Sequence, residues 1–329
     1  MKRSFTTIGF VMGCVAALLL SVLAFGSPAS ARVIETEELI NFSTGDPLAD
    51  PGTEGIAIDD DGNLYVSANL ATGGQIWKIA PGATEPEVLA SLIPSPAGAG
   101  FGVLGLHIEG DHLLAAVNTF ANPELNGVWV IDLASGDANH IAGSEVIGLP
   151  NDLTVWDGAI YVTDSVAGAV WRIDATGTNP WLIDPLLAGT GALVPGLPIG
   201  ANGIDVHNGR FYVANLEGKA VISVHINHRG EPVAPRLFNT VDGFPDGLEV
   251  DRQGRPHVVL VDSSALVRVG NRNNETLVRD PEILDAPASL TFGPRRQNQT
   301  IYVVNFSIGE GFPDLIEQSD VGPSIVAVR

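Results

Sequence analysis

Four oxygen-bearing side chains, Glu54, Asn151, Asn202 and Asp246, stand at equivalent places in a sequence that repeats itself six times. Each heads a short apolar run: Glu54-Gly-Ile-Ala-Ile, Asn151-Asp-Leu-Thr-Val, Asn202-Gly-Ile-Asp-Val and Asp246-Gly-Leu-Glu-Val. The other two runs, Leu104-Gly-Leu-His-Ile and Ala288-Ser-Leu-Thr-Phe, carry apolar residues at that place. If the six runs converge, two carboxylates and two amide carbonyls converge with them. Such a set suits Ca2+, which takes roughly six to eight hard oxygen ligands and leaves positions for water or substrate. Zn2+ would require His or Cys, and the column holds neither.

The elements that must bring these residues together are the strands of a propeller. The six runs start 50, 47, 51, 44 and 42 residues apart, a blade-sized period. Turn signals such as Asp157-Gly158 and Asn208-Gly209 follow the first strands, as tight hairpins require. Second strands begin near Leu64, Leu113, Ile160, Phe211, His257 and Ile301, and each ends on an amide or carboxylate: Asn69, Asn118, Asp164, Asn215, Asp262 and Asn305. These six are read as caps of the turn that follows. Third strands follow in all six units, and fourth strands lie near Val88, Ile141, Leu182, Leu237 and Leu277. The sixth unit has no fourth strand before Arg329, whereas Val33 to Phe42 precedes the first repeat and alternates like a strand. An unpaired blade edge is an aggregation liability that a circular fold repairs by borrowing from the other terminus. The spacing thus predicts an all-β fold, one six-bladed β-propeller over residues 32–329 with four-stranded antiparallel blades, the last closed by the N-terminal strand. First strands line the channel of such a fold, so the heading residues face its axis.

Composition narrows the partners. Residues 1–31 read as a signal peptide: Lys2 and Arg3 precede an apolar run from Ile8 to Phe25, and Ala29-Ser30-Ala31 offers a cleavage site. The expected location is therefore secreted or periplasmic. Losing those two cations takes the formal charge from −21 to −23 and leaves Lys78 and Lys219 as the only lysines. So acidic a chain disfavours nucleic acid and anionic membrane surfaces as partners. The single cysteine, Cys14, lies in the leader, which excludes a disulfide framework and thiolate chemistry in the mature chain. The mature protein is expected to be a monomer acting on a small molecule.

Thr53-Glu54-Gly55, Leu149-Pro150-Asn151-Asp152, Ala201-Asn202-Gly203-Ile204-Asp205 and Phe244-Pro245-Asp246-Gly247-Leu248 resemble the four metal-ligand motifs of the senescence-marker-protein/gluconolactonase/LRE-like family. Tyr161 to Ser165 and Val170 to Asp174 look like its third blade, and the similarity runs over the whole mature chain. The resemblance implies a six-bladed propeller in which Glu54, Asn151, Asn202 and Asp246 bind a catalytic divalent cation, Ca2+ foremost. It implies Asp246 as base or nucleophile, with Asp152 and Asp164 orienting the ligands. Two departures stand out. Leu149 replaces the Arg common in sugar-lactone hydrolases of the family, and Ile56-Ala57-Ile58 replaces the Pro and aromatic that usually follow the Glu. With Phe101, Leu104 and the Leu186/Leu187 loop nearby, these favour a hydrophobic lactone or ester over a polyhydroxylated sugar acid.

Other signals carry less. His225 and His228 have metal-like spacing without a third ligand nearby. His107 shares a first-strand column with Ala57, Thr154, Asp205, Glu249 and Thr291, read as a hydrogen-bonding layer between blades. No Gly-x-Ser-x-Gly elbow, phosphate-binding loop or dinucleotide fingerprint occurs, and the column offers no cation for a polyanionic quinone. The expected function is a Ca2+-dependent hydrolase of lactones, esters or phosphotriesters. The alternative is a noncatalytic propeller with a structural channel metal, because the fold hosts both roles.

Overall fold

A computed structural model describes residues 34–46, 49–94, 101–120, 122–294, 299–306 and 321–329. The leader read at residues 1–31 lies outside this set, as does most of the Ser91 to Phe101 insertion. Six four-stranded antiparallel sheets make a six-bladed β-propeller. Their innermost strands are Gly52–Ile58, Gly102–Glu109, Pro150–Trp156, Ala201–His207, Pro245–Val250 and Pro287–Phe292. From each of the first five the chain meanders outward through the second, third and fourth strands of the same blade, and from Pro287–Phe292 through the second and third of blade six. In blade two the fourth strand is only Ala138–His140, ending one residue before the Ile141 read from the sequence. Among the described residues no helix is long and apolar enough to cross a membrane.

The N-terminal strand closes the ring as the missing edge required. Thr36–Asn41 is the outermost strand of blade six and pairs antiparallel with Ser324–Val328, Thr36 opposite Val328 and Asn41 opposite Ser324. Glu35 and Arg329 exchange backbone hydrogen bonds of 3.2 and 2.8 Å beyond that ladder.

Hairpin chemistry sets the blades. At Asp157-Gly158 and Asn208-Gly209 both central residues adopt positive φ, 52° and 73° in the first, 50° and 72° in the second. This left-handed pair makes the turn whose twist matches the strands it joins.

The core is distributed around the ring. Middle strands such as Leu113 to Val117 and Ser324–Val328 are buried on both faces, because each blade packs against one neighbour on either side. Six hydrophobic clusters result, one between each pair of adjacent blades. Blades one and two meet through Tyr65, Ile76, Val103 and Leu106, blades three and four through Tyr161, Phe211 and Ile204, and blades six and one through Ile40, Val66 and Ile325. The Phe211 ring, fully buried between Tyr161 and Trp181 with centroids at 4.6 and 4.9 Å, contributes roughly 2–3 kcal/mol by burial alone.

Candidate metal centre in an apolar cavity

The heading residues owe their direction to an irregularity shared by all six blades. Pairing between first and second strands slips between Thr53 and Ile56, Val103 and Leu106, Pro150 and Leu153, Ala201 and Ile204, Pro245 and Leu248, and Pro287 and Ser289. The two residues left over in the first five slips begin with Glu54, Leu104, Asn151, Asn202 and Asp246. A bulge of this kind bends the strand and re-aims its side chain. Second-strand hydroxyls satisfy amides the ladder abandons: Ser67 Oγ accepts from Glu54 and Gly55 N at 3.1 and 2.7 Å, and Thr163 Oγ1 accepts from Asp152 N at 3.0 Å.

The glycine after the heading residue is a packing requirement. A Cβ on Gly203 would lie 2.4 Å from Leu248 N and 2.6 Å from Asp246 O of the next blade. Its φ is ordinary, so the demand is purely steric. Gly203→Ala is expected to cost about 1–3 kcal/mol and to push Asn202 away from Asp246. Thermal melting and Ca2+ titration measure both effects, and a variant with wild-type melting and affinity would show that the inner strands are not this tightly packed.

One cavity, with about 820 Å3 of space between atoms when its open solvent side is included, collects all four predicted oxygen donors. Glu54, Asn151 and Asn202 are buried and Asp246 is partly exposed. The ten other described residues lining it are apolar: Phe101, Leu104 and Leu149, with seven from other loops and strand ends. No Lys, Arg, His, Ser, Thr or Tyr is among the described lining residues. Glu54 Oε2 and Asn151 Oδ1 are buried without a hydrogen-bond partner, while the Asn202 side chain lies near enough to the Asp246 carboxylate to oppose the rise of its pKa.

Unpartnered oxygens facing a nonpolar wall are costly unless a ligand completes them. Burial pushes Asp246 up to about 7, and nearby Asp152 adds to the rise although the Asn202 amide opposes it. Burial, then Asp246 and Asp152, hold Glu54 well above the usual carboxylate range. Two carboxylates crowded together in a nonpolar cavity, beside two amides, fit a hard divalent cation, whose charge would remove both penalties. Among the described residues no group of three or more His, Cys, Asp or Glu converges on a metal position. A cation here would depend on the two amides as much as on the two carboxylates.

Beneath this cavity the channel holds the predicted layer between blades. Asp205 Oδ2 accepts from Val250 N of blade five at 2.7 Å, Asp205 Oδ1 accepts from Thr154 Oγ1 of blade three at 3.2 Å, and Glu249 Oε2 accepts from Phe292 N of blade six at 3.0 Å. Asp152 joins the same system by accepting from Ile204 N at 3.0 Å. It neighbours the cluster electrostatically while its bonds tie blades three and four. His107 lines this lower half of the channel, its pKa lowered to about 4 by burial. His225 is exposed on the outer part of blade four.

Two sequence expectations need correcting. Asp164 accepts from Gly148 N, Leu149 N and Ala167 N at 2.9, 3.1 and 3.1 Å; it fixes the loop leading to Asn151 and its own turn, and it bonds to none of the four donors. The other second-strand ends likewise hold adjacent loops: Asn69 bonds Val103 N and O, and Asp262 accepts from Phe244 N at 2.8 Å. In the long connection after blade three, Leu187 is fully buried away from the cavity and Leu186 does not line it. Leu193, Val194 and Ile199 form that wall instead. Sequence reading also missed Leu216, Phe244, Val261 and Phe306. A signal was present, since Phe244 and Leu149 lie two residues before a heading residue, and Leu216 and Phe306 follow a second-strand Asn.

No family profile and no curated protein matches the chain. Solved structures do. A luciferin-regenerating enzyme superposes with a TM-score of 0.65 at 13% identity, covering 90% of this chain and 95% of the other. A gluconolactonase from Xanthomonas campestris gives 0.62 at 17% identity, covering 90% and 89%. The fold is that of the senescence-marker-protein/gluconolactonase propellers. A calcium-binding protein, regucalcin from Agrobacterium tumefaciens, gives 0.59 at 15% identity, covering 84% and 90%. At such identities the likeness speaks to fold, and chemistry has to be argued from the cavity.

Proposed function

We propose that this chain is a divalent-cation-dependent hydrolase of apolar lactones, esters or phosphotriesters, with Ca2+ as the preferred ion. The observation that carries the reading is the cavity's division of labour. Its described polar side chains are Glu54, Asn151, Asn202 and Asp246 alone, and everything else that lines it is apolar. A ligand that fits must be nonpolar over most of its surface and present one polar head to the oxygen cluster.

When bound there, a divalent cation supplies polarisation of a carbonyl or phosphoryl oxygen and stabilises the charge that develops on it. Glu54, Asn151, Asn202 and Asp246 would hold it. The Asp246 carboxylate, beside the Asn202 amide, takes the proton of an attacking water and returns it to the leaving alkoxide; alternatively it attacks the carbonyl or phosphoryl centre itself, expelling the alkoxide, and water then hydrolyses the enzyme ester so formed. The apolar walls exclude bulk water from this exchange. We place the protein outside the cytoplasm on the strength of its leader-like residues 1–31.

The test uses purified protein stripped with chelator and offered aryl esters, lactones and an aryl phosphotriester of increasing apolar size. Turnover is expected to vanish on chelation and to return with Ca2+, with apolar substrates preferred over gluconolactone. Hydrolysis indifferent to chelation would sink the reading. A melting temperature that falls on chelation, with no substrate turned over, would assign a noncatalytic binding propeller in its place.

A further inference from the structure

We propose that Glu217 selects among apolar substrates by clamping residues 190–194 into a fixed wall over the oxygen cluster. The proposal rests on the hydrolase reading above and names a residue that determines its specificity. Glu217 does not line the cavity; it is a positioning residue acting through Leu193 and Val194, which do.

Residues 188–200 have little structure of their own. Gly189, Gly191, Gly196 and Gly200 alternate with Pro195 and Pro198, and the pairing within the segment is an isolated bridge between Val194 and Leu197. Left to itself, such a stretch would sample many conformations. The short turn after the second strand of blade four removes that freedom. Asn215 Nδ2 donates to Leu186 O and Ala188 O at 2.8 and 3.1 Å, and Leu216 N donates to Gly200 O at 3.0 Å, which fixes both ends of the segment. The middle is fixed by one carboxylate. Glu217 Oε2 accepts from Thr190 N, from Gly191 N at 2.7 Å and from Thr190 Oγ1 at 2.9 Å, while Oε1 accepts from Leu193 N at 3.1 Å.

Four donors on one carboxylate make a set of charge-assisted bonds, each stronger than a neutral pair. They gather three backbone N–H groups that this irregular segment does not bond internally. With these bonds made, the side chains of Leu193 and Val194 line the cavity together with Phe101, Phe244 and Phe306. A substrate with a short acyl group fills the space beside the oxygens and gains little from the wall. A long acyl chain must lie along it, so the wall's position sets how much of the chain is removed from water.

The experiment compares wild type with Glu217→Gln and Leu193→Ala in the full-length, Ca2+-loaded protein. Three readouts are taken: kcat and KM for 4-nitrophenyl acetate and decanoate, hydrogen exchange of the 190–194 amides, and calorimetric binding of decanoate and acetate ions. For Glu217→Gln, exchange at Thr190, Gly191 and Leu193 is expected to quicken about tenfold. The decanoyl-over-acetyl ratio of kcat/KM should fall about tenfold through KM, and decanoate affinity should weaken by a similar factor. Leu193→Ala should lose the same selectivity with exchange unaltered, which separates the wall from its clamp. Unchanged exchange in Glu217→Gln, or equal losses for both acyl lengths, would overturn the proposal. If no ester is turned over by any form, the hydrolase reading fails by itself, while exchange and decanoate binding still decide whether Glu217 holds an acyl-binding wall.

Discussion

Asp246→Asn is expected to lower turnover of any chelation-sensitive substrate by about a thousandfold, within the range that positioned proton transfer contributes. The substitution keeps the side chain's shape and an oxygen beside Asn202, so the cavity should persist. It removes one of two negative charges on which a bound cation would rely, and with it the group that accepts the water's proton. Cation affinity is expected to weaken alongside kcat. Measuring turnover at cation concentrations high enough to saturate the variant separates the two losses. Asp152→Asn offers the contrast: this carboxylate's bonds go to Leu153 N and Ile204 N, so its loss should register in stability more than in kcat. If Asp246→Asn retained activity within tenfold of wild type at saturating cation, Asp246 would be neither base nor nucleophile.

The chelated protein is expected to melt higher at pH 5 than at pH 8. Five carboxylates of the channel are raised by burial, namely Glu54, Asp152, Asp205, Asp246 and Glu249. Asp152 and Asp246 reach about 7 and Asp205 about 6, against roughly 4 in an unfolded chain. Between those values the folded state keeps protons that the unfolded state has released, so each step up in pH favours unfolding. The melting temperature should fall on the order of 5–10 °C across this window. Below about pH 4.5 the sign reverses. Burial works against Asp251 and Glu217, yet backbone and side-chain donors hold both carboxylates low. Their stabilisation is complete above the unfolded value and is lost on acidification. Ca2+ should recover at pH 8 the part of the loss due to Glu54 and Asp246, and should do far less at pH 5, where those groups hold protons. Asp205 and Glu249 lie in the lower half of the channel, so their share should survive Ca2+ and be removed by Asp205→Asn with Glu249→Gln. A chelated melting temperature that rises steadily from pH 5 to 8 would contradict this account.

The propeller was legible because a repeat amplifies weak signals. No single run such as Asn202-Gly-Ile-Asp-Val specifies a blade, but six in register specify a ring, and the absent fourth strand at Arg329 pointed to the N-terminal segment. The four oxygen donors were legible for the same reason. What stayed hidden belongs to geometry that a linear period does not encode. The steric role of Gly203 depends on Asp246 and Leu248 of the next blade. The wall residues Leu193, Val194 and Ile199 sit in an insertion outside the repeat, where Leu186 and Leu187 were equally apolar candidates. Glu217 follows a strand end like any turn residue, and its function depends on donors some 25 residues earlier. Asp164 caps its own turn through Ala167 N, as the sequence suggested, but the ligand-orienting role implied by the resemblance finds no direct bond: its oxygens go to backbone amides and to Trp171 Nε1.

The pairing of Thr36–Asn41 with Ser324–Val328 also governs the order of events during synthesis. Thr36–Asn41 has no partner until Ser324–Val328 has been made. Blades one to five consist of neighbouring segments and can form as they emerge, but the circle stays open, with apolar surface exposed at both flanks, until Ser324–Val328 emerges. A chain stopped short of Ser324 would keep that gap for good. Closing the ring joins two segments that lie far apart in sequence, and a long-range step of this kind is slow.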